Sequence, residues 1–130
     1  MRVARGTLFV LGGAALLAAG CGDDDGGDGE PQVVGTTLPG APEVEVEAFD
    51  FGYTPDPVEI PANETVNLLM RVTGGGHNLR IEGTDLQFPI VEEGDAVVGA
   101  LTVEEPGDHR MVCTVPGHEA AGMVSTLRVG

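Results

Sequence analysis

Lysine is absent from this 130-residue chain, and tryptophan with it. The six basic residues are all arginine and face 21 acids, for a formal charge of −15. So large an acidic excess excludes electrostatic binding to nucleic acid or anionic lipid, and favours a cationic protein as partner. Aromatics make up only 4%, so a core has to be built from Val, Leu, Ile, Met and a few Phe. Long apolar runs are scarce too: Thr7–Gly20 falls short of the ~20 residues that span a bilayer. No segment carries a convincing pattern at helical spacing. Thiols number two, Cys21 and Cys113. What is plentiful is glycine (21) and proline (9), which suits short strands joined by turns. The length allows one domain and little else.

Arg2 and Arg5 precede the apolar run and small residues close it, the layout of an export signal over residues 1–20. The run meets Cys21 in "LLAAGC", which resembles the lipobox of prokaryotic lipoproteins. That resemblance implies cleavage before Cys21 and a diacylglycerol on its thiol. The mature protein is then expected to be lipid-anchored at the extracytoplasmic face of the cell envelope. Ala18 stands where the family prefers leucine. The alternative is an ordinary cleaved signal that contains a cysteine. With no twin-arginine pair, the general export route is expected. Losing Arg2 and Arg5 takes the formal charge from −15 to −17. Acylation of Cys21 would leave Cys113 without a thiol partner, in a compartment where spare thiols are paired or bound. A lone thiol there needs another use.

Residues 21–42 are dominated by Gly, Asp, Pro and Thr and are expected to form a flexible, self-repelling linker. The acids Asp23, Asp24, Asp25, Asp28 and Glu30 read as part of that solvated linker rather than as a calcium site. From about Val44 the pattern changes to period two. "VEVEAFDF" alternates apolar and acidic residues, and "ETVNLLMRV", "HNLRIEG", "AVVGALTV", "HRMVC" and "MVSTLRV" follow as further strands. "YTPDPVEIPAN", "TGGG", "EEPGD" and "TVPGHEAAG" between them are rich in turn residues. "VEEGDAVV" is ambiguous, with a central glycine against a helix. The expectation is an all-β fold, a single β-sandwich or Greek-key barrel over residues 43–130.

The chemistry gathers in "CTVPGHEAAGM", where His118 and Met123 follow Cys113 with four residues in each gap. Strand alternation puts His109, Met111 and Cys113 on one face, and Met123, Ser125, Leu127 and Val129 on one face of the next strand. Cys113 then ends one strand pointing inward and Met123 opens the next, while Pro116 and Gly117 bend the loop that carries His118. A thiolate, an imidazole and a thioether from one hairpin suit copper. A further histidine from a neighbouring strand is needed, and His77, after Gly74, Gly75 and Gly76, is the candidate. Asn78 beside it can tie the two ligand loops together. Two imidazoles and a thiolate with a weak axial thioether form the blue-copper electron-transfer arrangement. His109 lies four residues before Cys113, ~13 Å away along a strand, and reads as a core or rim residue. Met70 and Met111 read as core.

"CTVPGHEAAGM" resembles the C-terminal ligand loop of cupredoxins, in the long form carried by rusticyanin and sulfocyanin. "GGGHNLRI" looks like the segment with the family's first histidine and its neighbouring asparagine. "FDFGYTPDPVEIPANETVNLLM" is similar to the family's N-terminal strands, with Asn63 where a turn glycine is usual. "EEPGDHRMVC" matches the approach to the cysteine, with His109 where tyrosine is common. The resemblance implies a Greek-key β-sandwich holding one type 1 copper that carries single electrons. By position it makes His77, Cys113 and His118 the equatorial ligands and Met123 the axial one, with Asn78 steadying the cysteine loop.

The function expected is that of a membrane-tethered electron carrier, monomeric and not an enzyme. Its partners would be redox proteins such as basic cytochrome domains. The alternative is an extracytoplasmic protein for copper capture or delivery, but such sites tend to be exposed and rich in Met or His. A dinuclear oxidase-type centre needs two cysteines in the loop, and this loop has one. Copper nitrite reductases and oxidases need a second domain and more than three histidines.

Overall fold

Period-two patterning becomes strand after strand in the computed structural model, which describes residues 30–130. The expected export signal, Cys21 and the acids up to Asp28 lie outside the described residues. The strands are β1 (Gln32–Val33), β2 (Glu43–Phe49), β3 (Gly52–Thr54), β4 (Val58–Ile60), β5 (Thr65–Val72) and β6 (Gly76–His77). They continue with β7 (Arg80–Ile81), β8 (Val91–Glu92), β9 (Ala96–Thr102), β10 (Gly107–Val112) and β11 (Val124–Val129). No helix occurs among the described residues.

Two sheets face each other. One has the order β1-β9-β5-β2-β3, the other β4-β11-β10-β7, and β6 pairs with β8 in a small ribbon. On β2 the acids Glu43 and Glu45 are exposed while Val46 and Ala48 are sealed, so the alternation read from sequence is the in–out pattern of the strand. Val46, Leu68, Met70, Leu79, Phe88, Met111 and Leu127 meet in the shared core, all fully buried. Met70 and Met111 are thus core residues. Phe88 is the largest of the sealed side chains, and its truncation to alanine is expected to cost ~3–5 kcal/mol. β5 reads as a nearly continuous apolar run because it is covered on both faces. Leu68 and Met70 enter the main core, while Leu69 joins Ala96 and Val98 in a separate small cluster.

The stretch expected to be a linker up to residue 42 is corrected in its second half. β1 pairs in parallel with β9, and the ladder continues through Val34 N–H to Val98 O (2.9 Å) and Ala100 N–H to Thr36 O (2.7 Å). Farther on, the Asn67 amide both donates to Leu38 O and accepts from Leu38 N–H, each at 2.9 Å. The strap closes what would otherwise be an open β9 edge. Backbone pairing of this kind needs no side-chain periodicity, so composition did not reveal it. Gly99 is the position that admits it: a Cβ there would lie 2.9 Å from Val34 O and 3.2 Å from the Phe88 ring.

Asn63 is the one non-glycine among the described residues with positive φ, at 61°. It occupies the turn where glycine is usual in the resembling family. Asparagine tolerates the left-handed region better than other side chains, so the exchange keeps the turn.

Candidate metal centre

Three loops meet at one end of the sandwich: the β2–β3 turn, the β5–β6 loop, and the segment between β10 and β11. His77 closes the β5–β6 loop and is fixed by pairing of β6 with β8, opposite Val91. Its side chain is fully buried. Nε2 hydrogen-bonds Gly74 O at 2.6 Å, and Asp50 Oδ1 lies 3.0 Å from the same nitrogen. A carbonyl can only accept, so Nε2 carries the proton and Nδ1 presents its lone pair. That Nδ1 stands 3.1 Å from Nδ1 of His118.

Cys113 directly follows β10, is fully buried and is unpaired. Its sulfur lies 3.6 Å from His118 Nδ1. His118 rides on a run of tight turns, with His118 N–H donating to Val115 O (3.0 Å) and Met123 N–H donating to His118 O (3.0 Å). The turns bring the imidazole back over the strand ends. Met123 is fully buried just before β11, and its carbonyl accepts from Cys113 N–H at 3.3 Å. One donor atom each from His77, Cys113 and His118 fall within 4.8 Å of one another. No other such group of His, Cys, Asp or Glu occurs among the described residues. A thiol and two imidazole nitrogens this close are a donor set that fits copper.

Asn78 joins the two ligand loops. Its Nδ2 donates to Thr114 Oγ1 (2.6 Å) and its Oδ1 accepts from Thr114 N–H (2.7 Å). The Tyr53 hydroxyl donates to Asn78 O at 2.6 Å from the core side. Burial, and then the neighbouring Cys113 sulfur, push the Tyr53 phenol well above its ordinary pKa, so it remains a proton donor. On the outside, Arg110 donates to Glu119 (2.6 Å) and Glu82 (3.1 Å), which clamps the ligand loop to the β7 end. Those two bonds raise the Arg110 pKa, but the pair is exposed and contributes little to stability.

His109 stays apart from this group: it is half-buried on β10, with Nδ1 3.1 Å from Glu82 O. Sequence reasoning missed Asp50, Phe51, Tyr53 and Thr114. Phe51 is about half exposed and meets His118 edge-on, with ring centroids 5.1 Å apart. For Phe51 and Tyr53 the signal available was "FDFGY" itself, a cluster of aromatics in a chain with few of them.

A two-sheet β-sandwich with a His-Cys-His cluster at one end defines the class: a small copper protein of cupredoxin type. Residues 41–130 match the copper binding proteins of the plastocyanin/azurin family, and the chain belongs to that family. Among individual relatives, cytochrome c oxidase subunit 2 of Thermus thermophilus is 31% identical over 84 residues, covering 63% of this chain and 60% of the relative. The chain spans less than two thirds of the curated relatives it matches. The solved structure of auracyanin B superposes with a TM-score of 0.63 at 24% identity, covering 81% of this chain and 96% of that one. Auracyanin A, a "blue" copper protein of Chloroflexus aurantiacus, does so at 0.55 and 17%, covering 70% and 100%. These likenesses show the fold.

Proposed function

We propose that this chain is a membrane-tethered type 1 copper protein that shuttles single electrons between redox partners of the cell envelope. His77, Cys113 and His118 are its equatorial ligands and Met123 its axial one. The observation that carries this reading is the convergence of one thiol and two imidazoles within 4.8 Å in a copper-binding family. Copper bound there supplies a one-electron couple. The chain's own part is to hold the donors in one frame and to seal them from water. His77 and Cys113 are fully buried, whereas His118 is only half-buried. The edge of His118 is therefore the electron port. Exposed Ala120 and Ala121, with Phe51 beside the ring, form a small apolar patch over which a partner can close.

Cys113 is the only cysteine among the described residues, so a centre bridged by two thiolates does not fit. The relative that is a cytochrome c oxidase subunit and the excess of acids both support a cationic, cytochrome-type redox protein as partner. The lipid on Cys21 would hold the carrier near such partners.

The test is the visible spectrum of the full chain with Cu(II). One copper per chain, an intense colour lost on reduction and its absence in Cys113→Ser are expected. A colourless Cu(II) complex refutes the assignment, and rapid loss of copper to a mild chelator points to capture or delivery instead. Cys21→Ala should leave the membrane fraction; if it remains there and still takes up lipid label, the tether is wrong.

A further inference from the structure

The β2–β3 turn places a carboxylate against the sealed imidazole. Phe49 and Gly52 pair across β2 and β3, which leaves Asp50 and Phe51 as the two turn residues. Asp50 Oδ1 lies 3.0 Å from Nε2 of His77, the nitrogen that also meets Gly74 O. Its approach depends on the residue at 75. A Cβ on Gly75 would sit 2.5 Å from Asp50 Oδ1 and 3.1 Å from His77 Nε2, and the backbone there has φ +78°. Glycine is the residue that leaves room for this contact and adopts this backbone without strain.

We propose that Asp50 is a positioning residue for the copper centre, reinforcing the His77 tautomer that Gly74 O already sets and stabilising Cu(II) over Cu(I). The proposal rests on His77 being a ligand. The physical basis is twofold. A carboxylate beside the N–H edge of an imidazole fixes ring orientation and makes the opposite nitrogen more basic. Its negative charge also favours the more highly charged state of a nearby ion. Loss of such a partner typically costs 10–100-fold in metal affinity. The Asp50 side chain is 52% exposed and partly screened by water, so the lower end, about tenfold, is expected.

Asp50→Asn keeps the shape and removes the charge. In the copper-loaded full chain it should retain colour, lose about tenfold more affinity for Cu(II) than for Cu(I), and raise the midpoint potential by about 59 mV. Glu92→Gln is the control. Its carboxylate lies against Gly76, next to His77, but has no ion pair or hydrogen bond to an imidazole. It should move the potential by much less. An unmoved potential in Asp50→Asn, or an equal rise in Glu92→Gln, overturns the proposal. Should Asp50→Asn fail to load, the reduced-minus-oxidised infrared spectrum of the wild-type chain decides. A carboxylate band that shifts with copper state is expected, and its absence overturns the proposal. A wild-type chain that binds no copper, or binds it without colour, overturns the ligand assignment and this proposal with it. A coloured chain with an unmoved potential overturns this proposal alone.

Discussion

Replacing Asn78 by alanine removes a side chain that is 3% exposed and makes two short hydrogen bonds, at 2.6 and 2.7 Å, to a single residue of the other ligand loop. Each such bond is worth about 0.5–1.5 kcal/mol net. Thr114 is exposed, so water can take over part of what its N–H and hydroxyl lose, and the full penalty of a buried orphan does not apply. The Tyr53 hydroxyl bonds the backbone carbonyl of residue 78, so that contact survives the substitution. The expected cost is therefore ~1–3 kcal/mol. For a domain near this size it lowers Tm by ~4–24 °C in the copper-free protein. Thermal unfolding followed by circular dichroism reads it directly. Thr114→Ala keeps the backbone N–H that Asn78 Oδ1 accepts, so it should cost about half as much. The double variant should fall short of the sum by ~1 kcal/mol, because both changes remove the same Nδ2 bond. A cost under ~0.5 kcal/mol for Asn78→Ala, or strict additivity, refutes the idea that this amide ties the loops.

Two further outcomes follow from the proposed site. Met123→Gln should keep copper and colour, because the three strong donors remain, and lower the midpoint potential by ~60 mV for each tenfold gain of Cu(II) over Cu(I). Met123→Leu should raise it, while leucine at Met70 or Met111, both fully buried in the core, should leave it unmoved; voltammetry on the four variants checks this, and the reverse pattern refutes the axial assignment. Electron transfer to a cationic cytochrome should slow at least ~10-fold between low and high ionic strength, since steering fades as the screening length falls from ~30 Å at 0.01 M to ~10 Å at 0.1 M. The residues from Glu30 onward already hold seventeen acids against four arginines, so stopped-flow rates should keep this dependence when the preceding stretch is removed. Rates flat in salt would place docking on the small apolar patch around His118 alone.

The long strands and the three convergent donors were legible in the sequence for different reasons. β2, β5, β9, β10 and β11 each bury one face or both, and burial writes itself into side-chain alternation or apolar runs. Cys113 and His118 stand out because one hairpin carries both, and His77 because glycines crowd its approach. β1, β3 and β4 were hidden: they are two or three residues long, and β3 and β4 lie in a stretch that reads as turns. Asp50 was hidden for a tertiary reason. Its contact with His77 joins residues 27 apart that meet only when the β2–β3 turn folds over the β5–β6 loop. No local pattern in "FDFGY" distinguishes that carboxylate from the exposed acids of β2.

The frame around the copper donors consists mainly of contacts that need no metal. His77 is held by its bond to Gly74 O and by pairing of β6 with β8; Thr114, beside Cys113, is held by Asn78; His118 is held by the turns that run to Met123. Arg110 clamps the outside of the same loop through Glu119. A loop that depended on copper for its shape would change with the metal's charge, and each electron transfer would have to move it. Here the loop is already closed on itself by backbone bonds and tied to its neighbour by a buried amide. The two copper states would thus be offered the same donors at nearly the same positions. On the proposed reading, fast outer-sphere transfer would in this sense be a property of the polypeptide. It follows that loosening Asn78 should slow self-exchange between oxidised and reduced chains, even though no ligand has been touched.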